Sequence, residues 1–210
     1  MRITILGATG GTGRHLVTQA LDAGHEVTAV VRDPTRLPAT GPRLTVVRAD
    51  VLDPDDITGA VDGADAVVSA LGPRPGTPAT VCAGGIRSIV RAMEKTGVRR
   101  LVAVSASGPY PDAGDGAFTR YLVKPVLQRV LRESFADLRR MEESIRASQL
   151  DWTIMRPPRL TDKPATGRYR TAVDVNVRGA MVVSRADLAA AILHSLGDPA
   201  TIGHSVAVGY

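Results

Sequence analysis

Short, continuously apolar runs alternate along this chain with longer segments in which apolar residues recur at helical spacing. The short runs predict strands at 2–6, 26–31, 44–48, 66–70, 101–105, 152–155 and 205–208, and the longer segments predict helices at 13–23, 54–61, 79–96, 117–148 and 185–196. Runs without polar alternation are typical of strands buried on both faces. The regular alternation of strand and helix predicts an α/β fold, with a doubly wound, mostly parallel sheet and helices on both of its faces.

Two stretches depart from this alternation. Residues 108–117 are rich in Pro, Gly and Asp and predict a loop, whereas residues 157–181 predict irregular structure with a short hairpin. No linker, repeat or low-complexity segment divides the chain, so residues 1–210 are expected to form a single domain. Residues 108–140 and the small segment 157–183 near the C-terminus are expected to contribute its substrate side.

The first predicted strand leads directly into a glycine-rich turn. Gly7, Gly10 and Gly13 follow the strand, and a helical pattern opens at Leu16. In a Rossmann unit, Gly7 would allow the tight turn, Gly10 would let the backbone approach a pyrophosphate, and Gly13 would let the helix pack close to the strand. The N–H groups at the helix N-terminus would face the phosphates with a favourable dipole. This pattern predicts a Rossmann domain that binds a dinucleotide.

The residues after the second strand bear on which dinucleotide is bound. Arg32 stands at the end of that strand, and Arg14 and Arg36 are expected nearby, so three guanidinium groups could converge on the 2′-phosphate of NADP. Asp33 could instead bind the ribose 2′-hydroxyl of NAD, or could simply start a turn at Pro34. The arginines favour NADP(H).

Composition narrows the class of protein. A chain of 210 residues with 44% hydrophobic content suffices for one full core. The net charge of +5 could suit nucleic acid, but 3% aromatic content and the lack of a single-sign block argue against that partner. No apolar run reaches the roughly 18 residues of a membrane span, and no cluster has metal-ligand spacing. Because residue 2 already begins a predicted strand, we expect no signal peptide. Because Cys82 is its one cysteine, the chain is expected to be cytoplasmic. We also expect a monomer or small homo-oligomer that acts on a small molecule.

Ligands of such sheets bind beyond the carboxyl ends of the strands. Four predicted strands are followed there by small or polar residues: Asp50 and Val51, then Ala70, Leu71, Gly72 and Arg74, then Ser105, Ser107 and Tyr110, and last Pro157 and Arg159. We expect these four edges to converge in space, although they are far apart in sequence.

Taken together, these residues resemble the atypical short-chain dehydrogenase/reductases with an NmrA-like NAD(P)-binding domain, and in particular the biliverdin IXβ reductase/flavin reductase family. The similarity extends from GATGGTGR and VRDPTRLP to TDKPATGRY and the SRADL segment. It implies an NADPH-dependent reductase of flavins, tetrapyrroles or quinones. The resemblance implies cofactor contacts from Thr9, Thr12, Arg32, Arg36, Asp50, Val51, Gly72 and Arg74, and the glycine turn and strand ends add Gly7, Gly10, Gly11, Gly13, Arg14, Ala70, Leu71, Ser105 and Pro157.

The chain also departs from those families at the expected site of catalysis. The Tyr-x-x-x-Lys pair of catalytic short-chain dehydrogenases is missing, since Tyr121 and Lys124 have the wrong spacing and Phe135 cannot donate a proton. Arg159 stands where biliverdin reductases carry a His after the Pro-Pro pair. The serine after the fifth strand is shifted by one residue, so Ala106 takes its aligned place.

These departures restrict the chemistry. Reducing a simple ketone needs a positioned acid, whereas the reduced anions of flavins, quinones and other conjugated acceptors are delocalised and can take a proton from water. Arg159 could hold such an anion, and Ser105, Ser107 or Tyr110 could donate a hydrogen bond, although the two serines and Tyr110 could equally serve only the loop. Two other functions stay open: an NADP(H)-binding redox sensor without catalysis, and an epimerase-like biosynthetic enzyme.

Overall fold

The computed structural model describes residues 1–72, 80–117 and 119–210. Its strands are β1 (Arg2–Leu6), β2 (Glu26–Val31), β3 (Leu44–Arg48), β4 (Ala66–Ser69), β5 (Arg100–Val104), β6 (Asp151–Arg156), β7 (Arg159–Thr161), β8 (Arg170–Val173), β9 (Val182–Ser184) and β10 (His204–Gly209). Its helices are α1 (Gly11–Asp22), α2 (Pro54–Val61), α3 (Val81–Thr96), α4 (Lys124–Val130), α5 (Arg132–Arg146) and α6 (Arg185–Leu196).

Eight of the strands form one sheet in the order β3-β2-β1-β4-β5-β6-β10-β8. All neighbours are parallel except β8, which runs antiparallel to β10. The strand order reverses direction between β1 and β4, so the predicted doubly wound, mostly parallel Rossmann sheet is confirmed.

Apolar side chains that alternate along the strands fill one core on each face of the sheet. Ile3 and Ile5 of β1 belong to the core beneath α1 and α6, whereas Leu6 belongs to the core beneath α2, α3 and α5. Burial on both faces explains why these strands have continuous apolar runs. Among the described residues, none of the helices is long and apolar enough to cross a bilayer.

Two predictions about local structure were wrong. The helical pattern at 117–148 is not one helix: a π-helical turn, Thr119–Val123, precedes α4, and Leu131 separates α4 from α5 with φ −104° and ψ 26°. The break lets α5 bury Met141 and Ile145 against α3, while α4 leaves Val130 74% exposed.

The hairpin predicted within 157–181 is also absent from the described residues, because its two strands have different partners. β7 pairs in parallel with β9 in a separate two-stranded sheet, and β8 joins the edge of the main sheet. Both partners follow later in the chain, so the local Pro- and Gly-rich pattern carried no information about the pairing.

Candidate functional site

The glycine turn closes tightly against the end of β4. Gly7 has φ +83°, and a Cβ on it would lie 2.6 Å from the Ala70 carbonyl oxygen. A Cβ on Gly13 would lie 2.2 Å from the Gly7 carbonyl oxygen, so α1 approaches the turn as only glycine permits. Gly10 donates its N–H to the Gly7 oxygen at 2.9 Å, and a Cβ there would lie 3.1 Å from that oxygen. Gly10 therefore serves the closure of the turn besides any approach to a ligand.

The N-terminus of α1 differs from those of three other helices. Its first turn contains no acidic residue, and its first intrahelical hydrogen bond runs from Arg14 N to Gly10 O. By contrast, Asp53 caps α2 and Ser184 caps α6, and the Asp137 carboxylate accepts hydrogen bonds from the first turn of α3. The leading N–H groups of α1, with half-buried Thr9, exposed Gly11 and buried Thr12 around them, thus fit the pyrophosphate of a dinucleotide.

Two of the three arginines expected at the ribose are joined by a hydrogen bond from a side chain to the backbone. Arg14 Nη2 donates a hydrogen bond to the Arg36 carbonyl oxygen at 3.0 Å, and Arg32 lies exposed at the end of β2. Asp33 starts the Pro34–Arg36 turn by accepting hydrogen bonds from Thr35, and these lower the pKa of its carboxyl group. The turn-starting interpretation of Asp33 is therefore the one that its contacts support.

The ends of β3 and β4 place the remaining predicted cofactor residues beside α3. Asp50 accepts a hydrogen bond from Leu52 N at 3.0 Å. Val51 is buried, and Leu71 beside it is half-buried. Both side chains lie against Gly85 of α3, since a Cβ on that glycine would contact each of them. A Cβ on Gly72 would have no heavy atom within 4 Å among the described residues. Arg74 lies outside the described residues.

A buried polar cluster occupies the ends of β5 and β6. The Ser105 hydroxyl donates to Glu142 Oε1 at 2.7 Å, and Arg156 donates to both oxygens of the same carboxylate, at 3.1 and 2.5 Å. Glu142 is 2% exposed and Ser105 is 7% exposed. The sequence reasoning missed Glu142 and Arg156, although a charged residue beside Met141 on the apolar face of a helix was a usable signal.

Tyr110 completes this cluster. The Arg156 guanidinium lies 3.7 Å from the centre of its ring, and burial, together with the Glu142 carboxylate, raises the pKa of the phenol. The Tyr110 carbonyl oxygen accepts hydrogen bonds from Lys124 and Asn176. Its contacts are those of a residue that fixes the loop, which was one of its two predicted roles.

The other candidate catalytic residues lie outside this cluster. Ser107 is half-buried and donates its backbone N–H to the Pro157 carbonyl oxygen at 2.9 Å, which joins the ends of β5 and β6. Arg159 is exposed at the start of β7. The structure therefore joins Ser105 and Tyr110 through Glu142. It places Ser107 next to Pro157, and it leaves Arg159 exposed to solvent.

Tyr121 and Lys124 do not form a catalytic pair. Tyr121 is 72% exposed, whereas Lys124 is 4% exposed and its Nζ lies 2.7 Å from Asp115 Oδ2. Lys124 is thus engaged in holding the loop that contains Tyr110 and Asp115.

Nucleophilic and metal chemistry have little support in the described part of the chain. Burial chiefly, with a contribution from Asp137, raises the pKa of the Cys82 thiol to about 12, which leaves it protonated. Residues 1–72, 80–117 and 119–210 contain no group of three His, Cys, Asp or Glu side chains arranged to hold a metal ion.

Known proteins share this architecture. A short-chain dehydrogenase/reductase from Veillonella parvula DSM 2008, solved in complex with NADP, has a TM-score of 0.85 at 24% identity, over 100% of this chain and 94% of that one. A protein from Streptococcus pneumoniae TIGR4, described provisionally as an NADH-flavin reductase, has a TM-score of 0.81 at 25% identity, over 100% and 99% of the two chains.

Sequence comparison gives the family. An uncharacterized chloroplastic protein of Arabidopsis thaliana is 33% identical over an alignment 177 residues long, which covers 79% of this chain and 61% of that protein. The chain therefore spans less than two thirds of that relative. The NAD(P)H-binding family matches residues 7–199, from the glycine turn to the segment after α6. With that match and the glycine turn that leads into α1, the chain belongs to the NAD(P)H-binding family of Rossmann-fold proteins.

Proposed function

We propose that this protein is an NADPH-dependent reductase that transfers hydride to a conjugated acceptor, either a flavin, a quinone or a tetrapyrrole. One observation carries the proposal: the candidate proton donors that follow β5 are already engaged, since the Ser105 hydroxyl donates to Glu142 and Lys124 is paired with Asp115. No Tyr–Lys pair is positioned among the described residues to protonate a simple alkoxide. An acceptor whose reduced anion is delocalised needs no such acid.

The cofactor would be held by the residues of the glycine turn and the adjoining strand ends. The α1 N-terminus would bind the pyrophosphate, and Arg32, supported by Arg14 and Arg36, would bind the 2′-phosphate. Asp50 and Val51 would flank the adenine, and Gly72, Ser105 and Pro157 would border the nicotinamide. When bound, NADPH supplies the hydride, and the protein contributes orientation and electrostatics.

Arg159 and Ser107 are the proposed catalytic residues with side chains outside the Glu142 cluster. Arg159 directly follows Pro157 and Pro158, whose fixed φ angles hold its backbone. An exposed guanidinium at this position would stabilise negative charge on an acceptor as it takes up hydride. Ser107, held next to Pro157, would donate a hydrogen bond to the same acceptor.

Two segments, 108–140 and 157–183, are proposed to form the acceptor side of one domain. They are joined by hydrogen bonds, since Asn176 donates its backbone N–H to Asp112 and its side-chain N–H to the Tyr110 carbonyl oxygen. We further infer a cytoplasmic location, because a chain with one buried cysteine suits a reducing compartment. We also infer a monomer or small homo-oligomer.

The test is NADPH oxidation, followed at 340 nm, with a panel of a flavin, a quinone, a tetrapyrrole and an aliphatic ketone. We expect turnover with at least one conjugated acceptor and none with the ketone. Reduction of the ketone alone would contradict the proposal. Tight NADPH binding without oxidation by any acceptor would favour the redox-sensor function instead.

A further inference from the structure

Arg185, the first residue of α6, lies directly against the glycine turn. A Cβ built on Gly11 would lie 2.5 Å from Arg185 Cδ and 2.6 Å from its Nε. The side chain of Arg185 therefore lies over the first turn of α1, and a larger residue at position 11 would force this side chain to shift.

The place that Arg185 reaches is the one where α1 lacks negative charge. The first turn of α1, Gly11–Arg14, has no acidic residue, whereas carboxylates lie at the first turns of α2 and α3. A guanidinium laid over this turn adds a full positive charge to the partial charge of the helix N-terminus. The two together are suited to an anion with several oxygens.

Asp162 orients Arg185 without neutralising it strongly. Arg185 Nη1 lies 2.7 Å from Asp162 Oδ1, and the Asp162 side chain is 86% exposed. Ion pairs so open to water contribute little and leave the partner free to meet a second anion. Arg185 itself is held more firmly, since its side chain is only 27% exposed.

We propose that Arg185 is a ligand of the cofactor's pyrophosphate, together with the N–H groups at the start of α1. This inference rests on the dinucleotide part of the proposed function and is independent of the acceptor. Because NADPH and NADH share the pyrophosphate, Arg185 acts on both alike. It thereby differs from Arg32, which is proposed to contact the 2′-phosphate that NADPH alone carries.

The experiment measures binding and requires no turnover. NADPH, NADH and adenosine 2′-monophosphate, which has no pyrophosphate, are titrated calorimetrically into the wild type and Arg185→Gln, which keeps the stem against Gly11 and removes the charge. We expect NADPH and NADH to bind about 10-fold or more weakly, by the same factor, with adenosine 2′-monophosphate unchanged. Arg168→Gln removes the same charge from an exposed neighbouring position and should bind all three ligands as the wild type does.

Several outcomes would overturn the inference. One is a folded Arg185→Gln protein that binds both dinucleotides like the wild type, and another is a loss confined to NADPH or shared by adenosine 2′-monophosphate. If Arg185→Gln does not fold, Arg185→Lys keeps the charge and loses the planar fork, and it should still weaken both dinucleotides equally. If no acceptor is reduced but Arg185→Gln weakens both dinucleotides, the inference stands and the reductase proposal falls.

Discussion

The Ser105 hydroxyl donates a 2.7 Å hydrogen bond to Glu142, across 37 residues of sequence. The bond joins the end of β5 to the buried face of α5, and Arg156 at the end of β6 binds the same carboxylate. Because the Ser105 proton points to Glu142, its hydroxyl is a poor donor to a substrate. The cluster thus serves first to join β5, β6 and α5.

Replacing the shared carboxylate should destabilise the fold. Glu142→Gln leaves the Arg156 guanidinium, whose side chain is only 13% exposed, without its anion, which typically costs about 3 kcal/mol. Urea unfolding measures the loss. Glu143→Gln, an exposed neighbour on the same helix, should change the free energy of unfolding by less than about 0.5 kcal/mol. Equal stability of the two variants would show that the Glu142 cluster contributes little to stability.

Arg32 should set the preference for NADPH over NADH. If Arg32 binds the 2′-phosphate, Arg32→Ala removes a charge-assisted hydrogen bond, so NADPH affinity should fall by roughly 10–150-fold while NADH affinity stays nearly constant. Fluorescence titration of both cofactors measures this, with Arg91→Ala on the exposed face of α3 as a charge-matched control. Equal affinity of the wild type for NADPH and NADH would refute the assignment.

Arg159 should act on turnover and leave cofactor binding nearly unaffected. If it stabilises charge on the acceptor, Arg159→Ala lowers kcat by about 10–10³-fold and leaves NADPH affinity almost unchanged. Steady-state kinetics with the best acceptor of the panel test this, and Arg91→Ala on the exposed face of α3, outside the proposed acceptor side, is the control. An unchanged kcat in a folded Arg159→Ala protein would remove Arg159 from the mechanism and favour Ser107.

Protonation of Asp187 should lower the free energy of unfolding at acid pH. Burial alone would raise the pKa of its carboxyl group, but hydrogen bonds from Tyr210, Thr166 and Gly167 outweigh burial and lower the pKa from 3.8 to about 2. The ionised group therefore stabilises the fold above about pH 4, by about 2 kcal/mol, and this contribution is lost as the pH falls toward 2.

Asp187→Asn should remove that contribution. Urea unfolding at pH 7, 4 and 2.5 should show a stability gap between the wild type and Asp187→Asn that is largest at pH 7 and narrows at pH 2.5. Asp62→Asn, at an exposed carboxyl group, serves as the control. A gap independent of pH would contradict the lowered pKa of Asp187.

Local patterns were enough to predict the strands of the main sheet that lie at its centre. Each apolar run of β1, β4, β5 and β6 lies within one or two residues of its prediction, because burial on both faces leaves a signal in neighbouring residues. The split between α4 and α5 and the pairing of β8 with β10 had no such signal. Both depend on which surfaces the rest of the chain leaves exposed for these helices and strands to cover.

The sequence by itself determined the fold class and the glycine turn, since Gly7 and Gly13 are required by backbone contacts within that turn and at the adjoining end of β4. Only the tertiary structure decided what lies around the turn. It placed Arg185 on Gly11 and Arg156 beside Glu142, pairs that are remote in sequence and meet through the packing of α6 on α1 and of α5 beneath the sheet. A hydrophobic pattern predicts which face of an element is buried. It does not predict which polar side chain from another element will pack against that face.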